Sequence, residues 1–492
     1  MGLVRDLSLV NDATAIPALR EVVREALIRA MFVRDERALP KDVVRVLRRK
    51  ADVVVKIKDE IEAREVVRVA NGETSTVAMG RPADEFHYYR QKLGMGKDQP
   101  WGVCTKPSLL QTYDWIVPPQ GGIMVELDAL ADVEVDGVNF AAKVGAGGRW
   151  KTLYDRAVDV GMLPSVFPSI PLDVAVGDGI VGDARFRSYR SSFSSAVYDV
   201  RGLAANGLRV NCGFEYVTNA ATGYNLRELA VQFGAEFLVP TFLWIRLTAR
   251  PPTVKNFTYT FDDAAKLSGA LDRVTRSGRP YLWANLYDER GWTLVHGSNA
   301  SGPFTLEVGV GGTDALVATR TKALEAAVAG FTAKGEAPIP WDGDAGAYTA
   351  RSAKLHRLLY VGEVVAPAKD TGAISDRVRG LGESKGVRAG VFGNAMDNGQ
   401  VYLSPYFDAA REPMRIYDLS RGVADLVRGF PDAAFDSRLA HLWNEEAQFQ
   451  KRAAILLRLE AGLDMPNAIE PAATLEPEPV ELFPGEQEPP KP

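Results

Sequence analysis

The chain has 492 residues, too many for one ordinary core, so length alone predicts two to three domains. A net charge of −5 excludes a nucleic-acid binder working through a general basic surface, and no apolar run approaches the roughly 20 residues that a bilayer span requires. Two cysteines, Cys104 and Cys212, and four scattered histidines make no recognisable metal site, and with no charged-then-apolar export signal the expectation is a cytoplasmic protein that is not integral to a membrane.

In chain order, residues 1–36 read as an N-terminal helical segment, because the apolar positions of Ile16 to Val33 fall on one stripe and Pro17 stands near its start. A larger domain is expected over 37–252. It opens with a helix, a strand at Val53 to Ile57 and a helix from Asp59 to Ala70, which Asn71 and Gly72 end. Two stretches, TSTVAMGRP from Thr74 and TKPSLLQT from Thr105, are alternative anion-binding loops; the second has no glycine. From Gly121 to Pro252 short strands alternate with glycine turns. One amphipathic helix, Arg149 to Val160, interrupts them, with Trp150, Leu153, Tyr154 and Ala157 at helical spacing.

A second domain is expected over 253–430. It has a strand around Phe257, a helix capped by Asp262, strands at Tyr281 to Asp288 and Phe304 to Val310, and a helix from Thr313 to Lys334. A second set of the same kind follows: LYVGEVVAP, a helix from Thr371 to Lys385, the strands VRAGVFGNAMD and VYLSPYFD, and a helix from Pro413 to Arg428. Residues 431–468 read as a C-terminal helical segment returning to the first domain. The acidic, proline-rich tail 469–492 buries too little apolar surface to fold alone.

Five pieces stand in a familiar order: Met124 to Leu127, Val144 to Tyr154, Val176 to Gly182, Tyr198 to Val200, and Thr241 to Pro251. In that order the chain resembles the FAD-binding oxidoreductase family of p-cresol methylhydroxylase and vanillyl-alcohol oxidase, closest in outline to the FAD-linked D-lactate and glycolate dehydrogenases. The resemblance implies an α+β fold: a two-subdomain FAD-binding domain plus an α+β, ferredoxin-like cap. It implies FAD held noncovalently, since neither His87 nor Cys104 sits in an attachment motif, with Gly177, Gly179, Gly182, Ser188, Tyr189, Gly234 and Thr241 as cofactor-binding residues. Asp178 replaces the second glycine of the family's pair, and Leu238 or Val239 replaces its last glycine.

The family's metal- or substrate-binding histidines correspond here to Asn394 and to Tyr402 or Val401, so no metal is expected. Arg246, Arg351, Asn394 and Tyr402 are the candidates to face a substrate. The function so implied is oxidation of a small organic molecule, such as a 2-hydroxy acid, by hydride transfer to FAD. Electrons would pass on to an acceptor protein or quinone-linked partner, in a homo- or hetero-oligomer. The alternative is a degenerate, noncatalytic paralogue serving as a subunit of an oxidoreductase complex.

Overall fold

The structure, a computed structural model, describes residues 53–70, 103–106, 123–166, 168, 173–181, 186–204, 207–217, 226–228, 230–231, 238–296, 299–345, 359–408 and 415–437. The expected N-terminal helix, nearly all of both candidate anion loops, the helix after Ser437 and the tail lie outside these residues, as do Gly182, Gly234 and Arg351.

Three strands, β1 (Val53–Lys56), β2 (Val103–Lys106) and β3 (Ile123–Glu126), form a parallel sheet in the order β1-β3-β2. Helix α1 (Glu60–Ala70) lays Ala63, Val66, Val67 and Ala70 into its core, and the Asp59 carboxylate accepts the Glu62 N–H to cap its start.

A six-stranded sheet follows, of β4 (Val133–Asp136), β5 (Ala141–Gly145), β6 (Met162–Pro164), β7 (Val197–Ala204), β8 (Arg209–Asn211) and β9 (Leu238–Ala249). Its order is β4-β5-β9-β7-β8, with β6 also paired to β9. Helix α2 (Trp150–Asp159) buries Trp150, Leu153, Tyr154 and Ala157, the four residues whose spacing predicted it. Two single-turn helices, α3 (Asp178–Val181) and α4 (Phe193–Ala196), complete this part.

From Thr253 the chain builds one nine-stranded antiparallel sheet from two copies of one pattern. The first is β10 (Thr253–Phe261), α5 (Ala264–Arg276), β11 (Trp283–Asp288), α6 (Glu289–His296), β12 (Phe304–Gly312), α7 (Asp314–Ala327) and β13 (Ala333–Ala337). A short β14 (Leu359–Tyr360) precedes the second: β15 (Gly362–Pro367), α8 (Thr371–Ser384), β16 (Ala389–Ala395), β17 (Gln400–Phe407), α9 (Arg415–Val427) and β18 (Ala434–Ser437). The order β13-β10-β12-β11-β16-β17-β15-β18 reads fourth, first, third, second in one unit and the mirror of that in the other. These are two ferredoxin-like units joined through their second strands.

Helices α5, α7, α8 and α9 cover one face of this sheet and share a core with Tyr259, Leu286, Leu306, Val308, Val391 and Leu403. The opposite face turns Trp283, Tyr287, Phe392 and Tyr406 into the core of the first two sheets. Among the described residues no helix is long and apolar enough to cross a membrane.

Three expectations are corrected. The helix after β10 is capped by Asp263, whose carboxylate accepts the Lys266 N–H at 2.7 Å, whereas Asp262 pairs with the Lys266 side chain. Helix α7 stops at Ala327, not Lys334, because the chain turns at Gly330 (φ 97°) and residues 333–337 join the sheet as an exposed edge strand. Ala434–Ser437, expected to belong to the C-terminal helical segment, instead form β18 of the cap sheet.

Candidate functional site

The region of interest lies where the segment from Asp173 to Ser192 meets the six-stranded sheet on one side and the bare face of the cap sheet on the other. Register places a row of polar side chains across that face. In antiparallel sheets directly opposed residues project from the same face. Glu307 on β12 stands opposite Asn285 on β11, Asn285 opposite Asn394 on β16, and Asn394 opposite Tyr402 on β17.

Glu307 anchors one end of the row. It is fully buried, and its carboxylate accepts from Asn256 Nδ2 at 2.8 Å, Tyr287 Oη at 3.0 Å and Asn285 Nδ2 at 3.3 Å. The His296 imidazole, stacked on Trp292 with centroids 3.7 Å apart, brings Nε2 to 3.8 Å from Glu307 Oε1. Asn256 in turn accepts from Trp283 Nε1 at 2.9 Å. A carboxylate in an apolar interior is stable only with such donors around it.

Arg187 closes the other end. Its guanidinium makes a two-pronged bond to Glu363 at 2.7 and 2.8 Å and lies 3.6 Å over the Tyr402 ring. Between the two anchors Asn394 is 6 % exposed, and its Nδ2 has no hydrogen-bond acceptor.

The residues expected to touch a cofactor fare differently from one another. A side chain at Gly177 would meet the Ala146 carbonyl oxygen at 2.4 Å, and one at Gly179 the Phe193 ring at 2.5 Å. The close approach at both glycines is therefore to the protein's own backbone and phenyl ring. Asp178 is buried, and its carboxylate accepts the Ala175 N–H at 3.1 Å.

Ser188 donates to the Ser165 carbonyl at 3.0 Å. Tyr189 leaves the first part of the chain altogether: its ring packs on Tyr281 in the helix-side core of the second, and its hydroxyl donates to the Val274 carbonyl at 3.1 Å. Burial pushes that phenol upward. The structure thus places Tyr189, expected beside a cofactor, within the helix-side core of the cap. Thr241, fully buried on β9, donates to the Arg201 carbonyl at 3.2 Å and lies 3.4 Å from the Glu60 carboxylate at the junction of the first two sheets.

Thr105 opens the glycine-free TKPSLLQT stretch, one of the two candidate anion loops. It sits on β2 near the carboxyl ends of the parallel strands, is 3 % exposed, and its Oγ1 has no partner. Ligands of parallel α/β sheets lie at that end. An unfilled buried hydroxyl there suits the adenine-dinucleotide part of a flavin, which carries many oxygens, whereas Gly177 and Gly179 add packing and no open cradle. The sequence reading missed Glu307, Asn285 and Asn256, whose signal was a polar side chain in mid-strand, in FTLEVGV, WANLYD and TVKNFTYTF respectively.

No family model and no curated protein matches the sequence. Solved structures do. The 4-ethylphenol oxidase of Gulosibacter chungangensis, in complex with isoeugenol, superposes with a TM-score of 0.64 at 12% identity over 90% of this chain and 95% of that one. A p-cresol methylhydroxylase with substrate bound gives 0.63 at 14% identity over 86% and 89%, and an alkyldihydroxyacetonephosphate synthase 0.53 at 14% over 84% and 83%. The chain thus has the fold of the p-cresol methylhydroxylase type of FAD-binding oxidoreductases.

Proposed function

We propose that the protein is a flavin-dependent oxidoreductase that oxidises a small organic substrate against the cap sheet, with FAD held noncovalently. The observation that carries this reading is the buried polar row on the cap face. In a fold whose solved examples include an oxidase and a methylhydroxylase, it offers fixed hydrogen-bonding groups where a purely structural sheet face would be apolar. Thr105 would be one of the groups that hold the cofactor, which when bound supplies the hydride acceptor.

The chain's own residues position and exclude. Glu307 fixes the Tyr287 hydroxyl and the Asn285 amide. Arg187 and Glu363 hold Tyr402, and Asn394 has an amide N–H to donate to a substrate oxygen. Phe392, stacked at 5.8 Å on Tyr406, supplies a flat apolar wall.

The test is the absorbance spectrum of the purified full chain after incubation with FAD and desalting. A retained flavin band, weakened roughly tenfold in affinity by Thr105→Val, is expected, because one hydrogen bond to a charged or polar ligand is worth about that much. A second reading, a noncatalytic paralogue, is favoured by the occupied surroundings of Gly177 and Gly179 and by Asp178. A chain that stays colourless with added FAD decides for it.

A further inference from the structure

Apart from the polar row, a cationic group on β9 has a buried N–H with no acceptor: Nε of Arg246. Its Nη2 comes no closer than 3.5 Å to Ser191 Oγ. Neighbouring arginines differ: Arg187 pairs with Glu363, Arg190 with Asp397 and Arg201 with Glu215, whereas no carboxylate among the described residues pairs with Arg246.

A second unfilled group faces the same way. The β6–β9 ladder has Pro164 opposite Leu247, and at the next rung the Ser165 N–H donates to the Arg246 carbonyl at 2.9 Å. Opposed residues share a face, so Ser165 and Arg246 are side-by-side neighbours. Ser165 is 7 % exposed and its Oγ has no partner. Ser191, 8 % exposed, is held nearby by its carbonyl, which accepts the Ser188 N–H at 2.8 Å, while Ser188 Oγ donates to the Ser165 carbonyl.

We propose that Arg246, Ser165 and Ser191 form a binding site for the oxyanion of a small ligand, a carboxylate or a phosphate. The guanidinium offers parallel N–H donors in a plane, which match two oxygens of such a group, and the hydroxyls donate to what remains. A buried guanidinium N–H without an acceptor is unfavourable, and an oxyanion supplies that acceptor together with a negative charge. Ser191 belongs to the same loop that carries Arg187 and Tyr189 to the cap, so an occupied site also ties that loop to β9. The proposal concerns the protein alone and does not rest on the flavin reading.

The experiment is thermal denaturation of the full chain, without added flavin, in rising inorganic phosphate or acetate at an ionic strength held constant with chloride. Saturable stabilisation beyond chloride by one of the two is expected, and the effective anion names the ligand class. Arg246→Gln abolishes it, Ser165→Ala weakens the apparent affinity roughly tenfold, and Arg190→Gln leaves it unchanged. Circular dichroism establishes that each variant folds, and Ser165→Ala carries the test if Arg246→Gln does not. Equal effects of phosphate, acetate and chloride, or stabilisation that survives both substitutions, overturn the proposal.

Discussion

Asp288 shows how one buried carboxyl links structure to pH. It is 2 % exposed at the end of β11, and its two oxygens accept the Gly291 N–H at 2.7 Å and the Val391 N–H at 3.0 Å. Burial nevertheless dominates and lifts its pKa to about 6 from 3.8. The folded state therefore binds the proton more tightly than the unfolded chain, so this group favours folding most below about pH 4 and loses that contribution as pH rises through 6. Asp288→Asn puts an amide where two N–H groups need acceptors, and a loss of about 1–3 kcal/mol is expected. Urea melts of both proteins at about pH 4.5 and about pH 7 check the sign: the difference between parent and variant shrinks at the higher pH. Cys212, 5 % exposed, is pushed to about 12 by burial and by Asp199, so its thiol stays protonated and unreactive at neutral pH.

At the scale of elements, the N-terminus of α5 is the simplest to test. Asp263→Ala removes the acceptor for the Lys266 N–H and is expected to cost about 1 kcal/mol, with Asp262→Ala near neutral; chemical denaturation separates them. The sequence placed a cap here one residue early because either aspartate satisfies the pattern, and only backbone geometry chooses between them. Helix α2 was legible because its four buried residues recur at helical spacing. Strand β13, AKGEA, was not, because an exposed edge strand carries no alternation to read. The site was harder still. Single strands reveal that Asn285 and Glu307 break an apolar pattern, but only register reveals that they stand opposite each other and opposite Asn394. The packing of Tyr189 was hidden for a related reason: its neighbours in sequence belong to one sheet and its neighbours in space to another.

Across the whole molecule, the cap is fastened by contacts between residues far apart in sequence. Arg187 grips Glu363, Tyr154 donates to Asp342 at 2.8 Å, and Trp341 Nε1 donates to the Pro168 carbonyl at 3.3 Å. Glu363→Gln leaves Arg187 buried without its partner and is expected to cost about 3 kcal/mol. Arg187→Met combined with Glu363→Leu is expected to cost less than that single change, since no charge remains inside; urea denaturation of the three proteins checks the order. The join between the two ferredoxin-like units has a further consequence. Asn285 comes from one unit and Asn394 from the other, paired through β11 and β16. During synthesis the first unit can therefore complete its own core while half of the polar row does not yet exist. The row is complete only when the second unit adds its strand, so a ligand that needs both amides reports on completed assembly of both halves.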